Sequence, residues 1–152
     1  MWKLAALTLL CSTTAIADTP AKACEAKGPV LVEVDRIKAG TPAQQQTTTI
    51  YASGGWSTAD SAAGAKPESG CVPHEDFEPL QADLAKAPWQ VTRAKIHCMA
   101  VSAVHTEYKY QGKLVWSAKL CSGESLDKDS QAAIDELDKL VDKLDPNRQK
   151  LN

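Results

Sequence analysis

Residues 108 to 144 read YKYQGKLVWSAKLCSGESLDKDSQAAIDELDKLVDKL, and this stretch decides the fold class. Gln111-Gly112 stands between two strand-forming runs, Tyr108 to Tyr110 and Lys113 to Trp116, with glycine where a two-residue turn needs a positive φ. A hairpin is predicted. Pairing Tyr110 with Lys113 puts Leu114, Trp116, Ala118 and Leu120 on one face with Val101, Ala103 and His105, and Tyr108, Tyr110 and Val115 on the other. From Asp127 the period changes from two to about 3.6: Ala133, Ile134, Leu137, Leu140, Val141 and Leu144 form one apolar stripe, so the spacing predicts a helix over 127–144. Acids at its start (Asp127, Asp129), lysines near its end (Lys139, Lys143) and Asp135 four residues before Lys139 all favour it. Its polar face is acidic, which points to packing on a sheet and not to a membrane surface.

Upstream, Val30 to Ile37 (VLVEVDRI) alternates Val30, Val32 and Val34 against Glu33 and Asp35, the pattern of a half-buried strand. Gly40-Thr41-Pro42 breaks it, Gln44 to Gln46 extend a polar tip, and Thr47 to Tyr51 resumes as a strand. Ser57 to Gly70 is mostly Ser, Ala, Gly, Asp, Lys and Pro, offers little to bury, and reads as a surface loop. Asp76 is then placed to cap a short helix bearing Phe77, Leu80, Leu84 and Ala87, with Pro79 in its first turn. Trp89 to Cys98 reads as a further strand. The predicted order is ββαβββα: an α+β domain whose antiparallel sheet of four to five strands carries two helices on one face. Each half runs hairpin, cysteine-bearing loop, helix, which hints at a duplicated ββα unit.

Residues 1–17 have the form of a cleavable signal peptide: Lys3, then the apolar run Leu4 to Leu10, then Ala15-Ile16-Ala17 ahead of Asp18. The run is too short to cross a bilayer. Cys11 as a lipoprotein cysteine is the competing reading, and bulky Leu10 before it argues against lipidation. The expected organisation is signal peptide 1–17, loose N-terminal leader 18–28, a single domain 29–145 and a polar tail 146–152. Cleavage removes only Lys3 among the charges, so the net charge moves from −2 to −3. It also removes one of five cysteines and leaves Cys24, Cys71, Cys98 and Cys121. In a secreted or periplasmic setting an even number of thiols most simply forms disulfides; three connectivities are open, and we prefer Cys24–Cys71 with Cys98–Cys121.

The basic residues are scattered along the chain, so no nucleic-acid surface is expected, and no membrane insertion follows signal cleavage. Cys71-x-x-His74 with His97-Cys98 could in principle close a zinc site, but oxidised thiols are favoured and no metal or cofactor is expected. His105 and Glu107 share a side of a strand and could pair as a base and its orienting carboxylate, although no nucleophile is tied to them by a motif. Glu75, Asp76 and Glu78 lack the alternate spacing and glycine of a calcium loop and read as helix-start acids. No Gly-x-Ser-x-Gly, phosphate loop, dinucleotide fingerprint, haem motif or glycosylation sequon is present. The sequence therefore favours a small exported, non-enzymatic binding or inhibitor-like module acting through the long polar loops Gly40 to Gln46 and Ser57 to Gly70, with another exported protein as partner. The alternative from a different class is a hydrolytic enzyme with a site near His105 and Glu107.

Overall fold

A computed structural model of the chain describes residues 24–97 and 103–146. The expected signal peptide, the leader as far as residue 23, Cys98, Val101 and the tail from residue 147 lie outside the described residues. Within them the order is β1 (Val30–Lys38), β2 (Gln44–Tyr51), β3 (Gly55–Asp60), β4 (Ser69–Cys71), α1 (His74–Lys86), β5 (Val91–Arg93), β6 (Val104–Tyr110), β7 (Lys113–Lys119), β8 (Glu124–Leu126) and α2 (Lys128–Leu144). Six strands form one antiparallel sheet, β4-β3-β2-β1-β6-β7, and β5 pairs with β8 in a separate ribbon.

The fold is α+β with both helices on one sheet face, and the sheet has one strand more than the upper limit expected. The extra strands arise from the segment read as a loop. Ser57–Asp60 is strand because β2 offers it a ladder, Thr47 opposite Ala59 and Thr49 opposite Ser57. Ser69–Cys71 then closes on Gly55–Ser57. Sequence propensity is weak here and cross-strand pairing overrides it. Conversely, the described residues of the predicted strand Trp89 to Cys98 yield only Val91–Arg93 as strand, outside the main sheet. The hinted repeat is not carried into the pairing: each half runs four strands and a helix, but the first four strands are consecutive neighbours while β6-β7 and β5-β8 go to different sheets.

The core lies between the sheet and the helices. Register places Val32, Ile50 and Trp56 in one cross-strand row and Tyr108, Val34 and Thr48 in the next. These face Leu80 and Leu84 of α1 and Ala133, Ile134, Leu137, Leu140 and Val141 of α2, all buried in one cluster. Neither layer can hide its apolar side alone. At the helix edge the Tyr108 hydroxyl donates to Asp138 Oδ2 at 2.8 Å.

Three local expectations need correction. In the β6–β7 hairpin, Tyr110 does face Lys113 and Lys109 faces Leu114, but Tyr108 faces Trp116, so Val115 is an extra residue. This bulge carries Trp116 and Ala118 to the Tyr108 side, against the core, while Leu114, opposite Lys109, is 57% exposed and Leu120, beyond the end of β7, is 65% exposed. The extra residue puts Leu114 and Trp116 on opposite faces, which is why the inferred Leu114–Trp116–Leu120 face is not continuous. Helix α1 begins at His74 behind Pro73 without a side-chain cap, so Asp76 is not the cap and Pro79 lies in the second turn. There it withholds the amide that the Glu75 carbonyl would otherwise receive. Helix α2 starts at Lys128, one residue later than expected, because Asp127 caps it, accepting from Asp129 N and Ser130 N at 3.0 Å each. The amide bonds and the Ser130 hydroxyl, 2.6 Å away, hold its carboxyl below the ordinary carboxylate range, with the hydroxyl contributing most.

Candidate functional site

Two regions outside the core collect chemistry: the sheet face turned away from the helices, and one end of the sheet. Alternation puts Glu33, Asp35 and Ile37 of β1 on the open face. Cross-strand register brings Lys109, Glu107 and His105 of β6 beside them and Thr49, Thr47 and Gln45 of β2 on the other side. Asp35 is only 2% exposed although no helix covers it. Its carboxylate accepts from Lys109 Nζ at 2.7 Å, from Thr47 Oγ1 at 2.5 Å and from Gln45 Nε2 at 3.0 Å. Burial pushes this carboxyl up, and the three hydrogen bonds, with the Lys109 charge, outweigh it and hold it below the usual range. Lys109 also donates to Glu33 Oε1 at 2.7 Å, and hydrogen bonding to Asp35 first and Glu33 second raises its ammonium well above the ordinary lysine value. Sequence reading misses this group because Glu33-x-Asp35 looks like an ordinary solvated face; only the β1–β6 register brings Lys109 to it.

His105 and Glu107 end the same row. Their closest approach is Nε2 to Oε1 at 3.6 Å, with each side chain 26% exposed. That is an ion-pair distance when the imidazole is charged, and too long for the hydrogen bond by which a carboxylate fixes a catalytic base. Ile37 and Lys119 flank His105 across the strands, and Asp35 and Ser117 flank Glu107. The Ser117 hydroxyl is buried without a hydrogen-bond partner.

The cysteines and the other candidate ligands are disposed separately. Cys24 is bridged to Cys71, with Cα atoms 5.8 Å apart, and Cys121 is also disulfide-bonded. Closing a loop 47 residues apart in sequence is worth about 4 kcal/mol on the chain-entropy account. With Cys71 oxidised and His74 paired to Glu78 at 3.2 Å on the surface, the Cys71-x-x-His74 half of the zinc reading dissolves. Among the described residues no group of three or more His, Cys, Asp or Glu side chains is placed to hold a metal. Asp76 of the acidic cluster accepts from Lys143 Nζ at 2.6 Å and ties α1 to α2.

The two polar loops meet at one end of the sheet. The tip 39–43 joins β1 to β2 and the stretch 61–68 joins β3 to β4, and every residue of both is exposed. Both are shorter than expected, since Gln44 to Gln46 and Ser57–Asp60 belong to strands. Their bases are braced: Gln45 N donates to Ser61 Oγ at 2.7 Å and Ser61 N to Gln45 O at 2.9 Å. Asp60 accepts from Ala62 N at 2.7 Å and from Gln46 Nε2 at 2.9 Å, while Glu68 N donates to Thr58 Oγ1 at 3.0 Å. At the opposite end the connections are tight, Gln111-Gly112 and residues 52–54. No protein-family model, curated protein or solved structure matches the chain. Among the described residues no helix is long and apolar enough to cross a membrane.

Proposed function

We propose that the chain is exported and acts as a non-enzymatic binding or inhibitor-like module that presents 39–43 and 61–68 to another exported protein, in the periplasm or outside the cell. The observation that carries this reading is the pairing of two fully exposed loops on one braced end of a disulfide-bonded sheet, opposite an end closed by short turns. Fixed loop bases reduce the ordering entropy lost when such loops engage a partner. Lys109, Thr47 and Gln45 of the open face are engaged in holding Asp35, and the His105–Glu107 separation does not suit proton transfer, so the hydrolytic alternative has less geometry behind it.

The test compares capture of partners from the exported fraction by three proteins: the intact mature chain, a variant with both loops shortened to tight turns, and His105→Ala. Loss of capture on loop shortening, with unchanged melting and no effect of His105→Ala, is the expected result. Capture indifferent to the loops would end the loop reading, and a hydrolytic activity abolished by His105→Ala would replace it with the enzyme.

A further inference from the structure

Strand β7 is the long edge of the main sheet. It pairs with β6 alone, and among the described residues no backbone hydrogen bond reaches its outer side. The other edge, β4, has only three residues. Edge strands present a row of free amides and carbonyls to any extended chain that fits beside them. Next to this edge runs an open groove of ≈ 360 Å³ whose apolar lining is Val91, Leu114, Val115 and Trp116. Arg93 and Glu124 also line it and neutralise each other at 2.8 Å. Val91 and Leu114 are two of the four large hydrophobic residues left exposed among the described residues.

Charge selects the occupant. The strand reads KLVWSAK, with Lys113 and Lys119 at its ends and no acid between them. Both are exposed, and neither has an ion pair among the described residues. Antiparallel pairing with a second copy about Trp116 would oppose Lys113 to Lys119, and like charges directly opposite each other destabilise a strand pair. From these observations we propose that the β7 edge accepts, by strand addition, an extended segment of a partner protein that is apolar at its centre and acidic at both ends, over a span of about 20 Å. This goes beyond the loop reading, because the edge and the braced loops can be altered separately.

Two capped synthetic peptides, DTVTVTD and KTVTVTK, serve as probes, with binding followed by chemical shifts and hydrogen exchange of the protein's amides. The acidic peptide should shift and protect β7 amides and bind about tenfold or more tighter than the lysine peptide at low salt. The Lys113→Glu/Lys119→Glu variant, changed at two exposed positions, should reverse that preference, and Leu114→Thr should weaken both peptides. Loop shortening should leave peptide binding unchanged, so failure of the loop proposal and failure of this one are distinguishable. Equal affinity for the two peptides, perturbations away from β7, or β7 protection that grows with protein concentration in the absence of peptide would each overturn the proposal.

Discussion

The two faces of the six-stranded sheet both bury side chains, but by different physics. On the helix side Val32, Val34, Ile50 and Tyr108 are removed from water by the apolar stripes of α1 and α2. On the open side Asp35 is just as inaccessible, and there it is held by hydrogen bonds from Gln45, Thr47 and Lys109. The first face is held by non-directional burial and tolerates changes of shape within limits. The second is held by directed bonds around one charge and fails when a single partner is removed. Substitutions that attack each face in turn should therefore differ in size and in their response to pH.

The largest effect is expected from Leu137→Asp. Leu137 is fully buried where α2 meets the sheet, and an aspartate there has no cation to pair with, so unfolding free energy should fall by about 5 kcal/mol, enough to unfold many domains of this size. Urea unfolding followed by far-UV circular dichroism measures it. An unchanged midpoint would mean that α2 does not pack on the sheet through this residue.

Next comes Lys109→Met, which leaves Asp35 and Glu33 without their shared cation. The cost should be about 2–3 kcal/mol near neutral pH, below the value for a fully buried pair because a third of Lys109 remains exposed. The sign of the pH dependence follows from the two shifts. Asp35 is depressed in the folded state, so its contribution is present above the unfolded carboxylate value of about 3.9 and is lost as pH falls through the folded value. Lys109 is raised, so its contribution is complete below about 10.4 and is lost only as pH climbs through the folded value. The difference between parent and variant should be flat from about pH 5 to 9 and shrink below about pH 4. A difference that widens in acid would contradict the assignment of Asp35 as the ionised centre.

The contrast between faces also explains what could be read from the sequence. Helix α2 was legible because its stripe, the acids at its start and the lysines near its end all agree, and β1 because valines alternate. The Asp35 cluster was not, because Thr47, Gln45 and Lys109 lie 10 to 74 positions away and only register unites them. β3 and β4 were missed for the same reason: Ser57–Asp60 has no pattern of its own and becomes strand by pairing with β2. The loop pair was legible in identity but not in length or arrangement, since the Gln45–Ser61 brace depends on β2 and β3 being neighbours. The bulge at Val115 had no local signal, and it split Leu114 from Trp116, which unbroken alternation had placed on one face.

A smaller effect is expected where α2 meets the segment after α1. Ser130 is fully buried; its hydroxyl donates to Asp127 and accepts the Trp89 amide at 2.8 Å. Ser130→Ala strands that amide, held in a residue with φ of 54°, and should cost about 1–2 kcal/mol. Thermal melting would register this as a drop of several degrees for a domain of this size. A neutral result would show that the Trp89 amide finds another acceptor.

The smallest effect is expected at the exposed leucines, and it tests whether Leu114 lies on the same face as Trp116 or on the opposite one. If Leu114 shared the core-facing side with Trp116, as unbroken alternation along β7 would require, its replacement by a polar residue would cost as much as other buried leucines, about 2–5 kcal/mol. Paired with Lys109, Leu114 lies on the opposite side at 57% exposure and has little burial to lose. Leu114→Ser and Leu120→Ser should then each change unfolding free energy by no more than about 0.5 kcal/mol. The two placements predict costs that differ several-fold at Leu114, well outside the error of a denaturation midpoint. Stability unmoved in Leu114→Ser, together with weakened binding of the acidic peptide to the same protein, would place Leu114 on a surface that serves contact and not the core.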